Sequence, residues 1–258
     1  MHMKKTAIFA AAATLAASAW AIQGTVKTET DSKSGDIKWQ SRTKSYSVSS
    51  KKGATMVSAE IPLDAVVKID VDKPANLDKL AELVRKGQGA SAIEGLKSIT
   101  ATYKMIVWDR VAARWLVQAY LDSGKAQEAY NTAQELIKED KTAAYAGDLA
   151  PAYWQALLKL GKTQPLENCL KLAASSGDRA ASAAALSMRG DVIVATGGDS
   201  PDNLKKALVD AYLRVALMYN DPACRDARRE AMLRCATCFE KLGQGMRAEK
   251  MKSLSKEL

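Results

Sequence analysis

The feature that most constrains this chain is a recurrence of glycines. From Pro74 to the C-terminus the composition is strongly helical, and it breaks at Gly87, Gly124, Gly161, Gly197 and Gly243. The separations are 37, 37, 36 and 46 residues. Glycine is favoured just past a helix end, where the backbone turns left-handed and a Cβ costs about 1–2 kcal/mol. Such an interval holds two short helices and their turns. A fixed period of this size is the mark of a repeat architecture and outranks any local motif.

The apolar pattern inside the intervals agrees. Val111, Ala112, Trp115, Leu116, Ala119 and Tyr120 fall on one stripe of a 3.6-residue period. Ala129, Ala133, Leu136 and Ile137 make a matching stripe after Gly124. Small alanines let the two helices of a pair approach closely. One such pair has too little core to stand alone, so each must stack on the next. The segments starting at Asp109, Gly147 and Asp226 all read as helix, glycine turn, helix.

The spacing resembles that of tetratricopeptide repeats. That family places a small residue early in the first helix, an aromatic or large apolar residue near its end, and an alanine five residues after the turn glycine. Tyr120, Gly124 and Ala129 match, as do Phe239, Gly243 and Ala248. Gly87 with Ala92 matches in the first unit, and Gly190 holds the small position of the fourth. Trp154 and Leu166 depart from the pattern in the third unit, and Gly197–Pro201 makes a longer turn in the fourth. The period also exceeds the family's, which is about 34 residues. The resemblance implies a mostly α fold over residues 75–258: a right-handed, TPR-like α-solenoid of about five helical hairpins with a concave face lined by the first helices.

Residues 22–74 follow a different period. Asp36–Gln40, Lys44–Ser49, Thr55–Ile61 and Val66–Val71 alternate polar and apolar residues, as half-buried strands do. Lys51-Lys52-Gly53 suits a hairpin turn. A small antiparallel β meander of three to five strands is expected, with the polar stretch 22–34 left without structure. Gly35-Asp36-Ile37 and the later Ile61-Pro62, Val66 and Ile69 resemble the strands of small SH3-like or Sm-like modules.

The first 21 residues read as a secretory signal peptide. Met3-Lys4-Lys5 is positive, Thr6–Ser18 is small and apolar, and Ala19-Trp20-Ala21 offers a cleavage site. The apolar run is shorter than the roughly 20 residues a membrane span needs. No cysteine stands near the site, so a lipid anchor is not expected, nor is a transmembrane segment in the mature chain. The expected location is a bacterial periplasm. An exported β module joined to such repeats resembles periplasmic repeat proteins of the bacterial envelope, which bind other envelope proteins.

Composition removes several chemistries. The sole histidine, His2, would leave with the leader, so a Ser-His-Asp or Cys-His system has no imidazole. Cys235-Ala236-Thr237-Cys238 sits inside a predicted helix rather than at its start, where a redox pair gains a low thiol pKa. With Cys169 and Cys224 as the other thiols and no mature histidine, a zinc site would need all four cysteines. An exported location would permit a disulfide between Cys224 and either Cys235 or Cys238. Gly161-Lys162-Thr163 looks like the tail of a phosphate loop, but it closes a helix and Ala156 stands where the first glycine belongs. No cofactor and no metal are implied. The formal net charge is +9, spread thinly, with Arg225, Arg228, Arg229 and Arg234 as the local cluster. Export argues against nucleic acid as the partner of that charge.

By the family register, Arg114, Gln118, Gln155, Lys159 and Asp191 would face the concave groove. They would offer hydrogen bonds and charge to an extended peptide or a partner helix. The expected function is a non-catalytic periplasmic scaffold that binds envelope proteins or peptides. Two alternatives stand beside it: an envelope enzyme subunit with a carboxylate or lysine site, and a structural subunit that forms homo-oligomers.

Overall fold

A computed structural model describes residues 22–53 and 55–258. The signal-peptide expectation falls on residues 1–21 and lies outside the described residues. The chain divides into two compact units, one ending at Asp70 and one running Val71–Leu258.

The first unit is a sheet of β1 (Ile22–Thr28), β2 (Ser32–Gln40), β3 (Ser45–Lys52), β4 (Thr55–Pro62) and β5 (Val66–Val71), in the order β4-β3-β2-β1-β5. β1 to β4 form an antiparallel meander, and a 3₁₀ turn at Leu63–Ala65 then carries the chain back to β1. Alternation sets the register. Ile37 pairs with Val48, Trp39 with Tyr46 and Tyr46 with Ile61, and all five of these side chains are buried. Gly53, at φ +62°, turns the β3–β4 hairpin at the expected position.

The stretch 22–34 corrects an expectation. It forms β1 and the start of β2 rather than remaining without structure. The Thr25 and Ser34 hydroxyls meet at 2.8 Å on its exposed face. Ile22 and Val26 lie on the buried side. A two-residue apolar signal spaced by four was too sparse to read as a strand.

The second unit is a series of helical hairpins. The pairs are α1 (Leu77–Arg85) with α2 (Gly89–Thr102), α3 (Trp108–Asp122) with α4 (Ala126–Glu139), and α5 (Leu149–Lys159) with α6 (Thr163–Ser175). The fourth pairs α7 (Arg179–Gly197) with a second helix that runs through α8 (Pro201–Ala207), a π turn at Leu208–Tyr212 and α9 (Leu213–Met218). The fifth is α10 (Arg225–Lys241) with α11 (Gly245–Glu257).

Four of the turns are alike at the level of single hydrogen bonds. Gly124 donates its N–H to Leu121 O at 3.1 Å, and Lys125 to Tyr120 O at 2.8 Å. Gly87, Gly161 and Gly243 repeat this pair of bonds with their own neighbours. This is the Schellman arrangement, which satisfies the last carbonyls of the first helix and needs positive φ at the glycine. The φ values lie between +65° and +74°. In the fourth hairpin Gly197 is the last residue of α7, and Gly198 takes the left-handed position. The break glycines through the fourth unit are therefore spaced by 37 residues throughout, with the last of them one residue later than expected.

Five residues after each Schellman glycine stands a buried side chain: Ala92, Ala129, Leu166 and Ala248. Each second helix also packs on the first helix of the next hairpin, and each first helix touches the next first helix. The result is one continuous apolar core from Leu77 to Met188, continued by a second cluster around Leu204, Tyr212 and Phe239. The α-solenoid of five hairpins is thus seen directly. Trp154 fits at its expected small position because its indole N–H donates to Ala144 O at 2.8 Å, in the loop before α5.

Cys169, Cys224, Cys235 and Cys238 are all free, buried thiols. The structure does not join Cys224 to Cys235 or Cys238, the bridge that export would permit. Cys224 packs with Ala183, Val215 and Ala231, whereas Cys235 and Cys238 belong to the cluster around Phe239. Burial pushes the Cys235 thiol up to about 12 and raises Cys238 as well. Neither is poised as a thiolate.

Candidate functional site: a groove on the first helices

Stacking in series places the first helices α3, α5, α7 and α10 side by side, and together they line a cavity of about 210 Å³. Gln155 comes from α5, Ser187 and Asp191 from α7, and Glu230 and Arg234 from α10, with Arg114 reaching in from α3. Ala150, Pro151, Ala184 and Met188 supply the apolar wall. Of the residues singled out in the sequence, Arg114, Gln155 and Asp191 line this cavity. Gln118 and Lys159 stand one turn further along α3 and α5 and are not among its lining residues. Gln118 instead donates to Asp122 at 2.7 Å, and Lys159 is exposed.

The floor is a fixed network. Arg234 Nε donates to Asp191 Oδ1 at 2.7 Å, Tyr212 Oη donates to the same oxygen at 2.7 Å, and Arg234 Nη1 reaches Glu230 at 3.2 Å. Burial works against the Arg234 charge, but Asp191 and Glu230 more than offset it, and its pKa is raised. Burial, with Asp191 beside it, likewise raises Tyr212 far above an ordinary phenol. Arg234 therefore stays charged and Tyr212 stays protonated across ordinary pH. Gly190 permits the arrangement: a Cβ there would stand 2.5 Å from Tyr212 Cε1. The π turn carries Tyr212 to this point.

Above the floor the pairing loosens. Arg114 Nη1 lies 3.9 Å from Asp148, and Nη2 lies 3.9 Å from Glu230. Both distances exceed a hydrogen bond. The Arg114 guanidinium lies 5.1 Å from the Trp115 ring centroid. Asp178 caps α7 by accepting from the Ala180 and Ala181 amides. Counting the lining side chains, five carboxylates (Asp148, Asp178, Asp191, Asp226, Glu230) face two guanidiniums (Arg114, Arg234). The cavity is formally −3 in a chain that is formally +9.

Ser187 is the exception to the paired chemistry. It is 5% exposed, it lines the cavity, and its hydroxyl has no hydrogen-bond partner. With no base against it, Oγ has no activation as a nucleophile.

Three of the four clustered arginines of α10, Arg228, Arg229 and Arg234, have partners close by. Arg229 meets Asp226 at 3.4 Å, Arg234 meets Glu230 and Asp191, and Arg228 Nε donates to Ala216 O at 3.3 Å. Apart from Asp191, the carboxylates of the groove were not singled out in the sequence as groove residues. Their signal was present: Asp148, Asp178 and Asp226 each stand at the start of a first helix.

No protein-family model and no curated protein matches this sequence. Two solved structures from Podosopora anserina are similar to it, one of them a single-substitution variant of the other, both described as a putative kinesin light chain with nearly identical TPR-like repeats. Each is 16% identical over 72% of this chain, at a TM-score of 0.39, and the match covers 96% and 95% of those chains. A likeness of that size says nothing of ligand or activity. Among the described residues no helix is long and apolar enough to cross a membrane.

Proposed function

We propose that this chain is a non-catalytic scaffold that binds a segment of a partner protein in the groove of its first helices. The observation that carries the reading is the cavity built jointly by α3, α5, α7 and α10. A surface assembled from several repeats, with fixed charges and one orphaned hydroxyl, suits recognition of an extended chain. Arg234, Asp191 and Glu230 are tied to one another at its floor, and its serine has no base. The leader-like sequence of residues 1–21 supports a periplasmic place of work and envelope proteins as partners.

The test is capture of partners by the tagged full-length chain in envelope extracts. Gln155→Ala and Ala184→Phe, both in the cavity lining, are expected to lose the specific partners, Gln155→Ala while melting as the parent does. Glu167→Ala, on the exposed face of α6, is expected to keep them. Retention of every partner by both groove variants would refute the groove as the binding surface.

A further inference from the structure

The cavity's charge is opposite to that of the molecule, and it identifies the chemistry of the occupant. We infer that the groove takes a lysine- or arginine-bearing segment of a protein partner, with the cationic head seated among Asp148, Asp226 and Glu230. The inference rests on the groove being the binding surface and adds what that surface selects.

Three observations carry it. First, carboxylates outnumber guanidiniums by five to two among the lining residues. An anionic ligand would meet arginines that are already compensated: Arg234 is held by Asp191 and Glu230, and Arg114 lies between Asp148 and Glu230. Second, the compensation is incomplete on the acidic side. Glu230 is shared between both arginines, and Asp148 meets Arg114 at 3.9 Å, beyond a hydrogen bond. Asp226 stands one turn before Glu230 on α10 and meets Arg229 at 3.4 Å, with most of its side chain open to solvent. Third, Ser187 leaves a buried hydroxyl unpaired in the wall of the same cavity. Buried polar groups are almost always satisfied, so an orphan marks the place of a missing partner. A backbone amide or carbonyl of an extended segment supplies one.

The rest of the lining suits a long basic side chain. Ala150, Pro151, Ala184 and Met188 give apolar surface for a methylene stem, and the charged head then reaches the carboxylates. The net positive charge of the rest of the protein works against non-specific attraction of a polycation.

The experiment uses the full chain and fluorescein-labelled decapeptides, one alternating lysine and serine and one alternating glutamate and serine. Binding is read by anisotropy. The lysine peptide is expected to bind, more weakly as salt rises from about 50 to about 300 mM. The glutamate peptide is expected not to bind. Asp148→Asn and Asp226→Asn are each expected to weaken the lysine peptide by about fivefold at unchanged melting temperature. Ala184→Phe fills the cavity without touching any charge and is expected to abolish binding. Asp202→Asn, away from the groove, is expected to change nothing. Spermidine forms the free-cation arm: competition by spermidine as tight as the peptide's own affinity overturns a protein segment as the occupant. Equal binding of both peptides, lost in Ala184→Phe, overturns the charge selection but leaves the groove standing. No binding of either peptide overturns the inference alone if partner capture still depends on Gln155 and Ala184. It overturns both readings if capture is insensitive to them.

Discussion

Gly243 and Gly245 stand two residues apart and do different work. Gly243 sits at φ +71° and closes a Schellman turn, whereas Gly245 opens α11 without a left-handed backbone and has open space where a Cβ would go. Gly243→Ala is expected to destabilise the protein by about 1 kcal/mol. Gly245→Ala is expected to be neutral or to stabilise it by up to about 1 kcal/mol, through a stiffer unfolded chain. Denaturant melts of the two variants check both signs. Asp109 gives a second residue-scale prediction. It is buried at the start of α3 and accepts from the Met105 and Arg110 amides at 2.5 and 2.7 Å. Burial raises its pKa above the ordinary 3.8, with the amide bonds opposing. A carboxyl raised by folding favours the native state most where it is protonated. Its contribution therefore declines as pH rises from 3.8 through the raised value, and above that it is a constant cost. Asp109→Asn is expected to flatten that part of the stability profile, measured by melts between about pH 3 and 7. An unchanged slope would contradict the assignment.

At the scale of elements, the fourth hairpin is where the repeat bends its own rule. Its second helix contains a π turn, and its first helix carries Gly190 against the Tyr212 ring. Gly190→Ala would force that ring away, at an expected cost of about 1–3 kcal/mol. Once the ring has moved off Asp191, Tyr212→Phe should cost less in the Gly190→Ala background than alone. A double-mutant cycle on thermal stability reads the coupling, and additivity would contradict the contact. This hairpin also shows what sequence can and cannot convey. The glycine period and the small Gly190 were legible, because a Cβ or a left-handed turn leaves few choices of residue. Whether Gly197 or Gly198 takes the turn was not, since two adjacent glycines satisfy the same rule. The π turn was also hidden, since no residue type is required for it. In the sheet, β1 was missed because its apolar signal is Ile22 and Val26 amid polar residues. The groove was legible in part. Arg114, Gln155 and Asp191 followed from the register that the repeat resemblance implies, whereas Ser187 and the other carboxylates depend on how α5, α7 and α10 converge.

Across the whole second unit, hairpins lean on their neighbours in series, so stability should be graded along the chain. α11 closes the series with Ala248 and Ser255 as its buried residues, while α5 is flanked on both sides and buries seven. Native-state hydrogen exchange is expected to release α11 amides well before those of α5. Simultaneous exchange would indicate one closed cooperative body. The same serial packing makes the groove a property of several repeats at once, with its negative charge set inside a positively charged molecule. The most direct test places a photo-crosslinking side chain at Gln155, inside the groove, or at Glu167, on the outer face of α6, in the full chain within intact cells. Adducts to a partner protein from position 155 and none from position 167 are the expected result. Adducts from 167 alone would contradict the account.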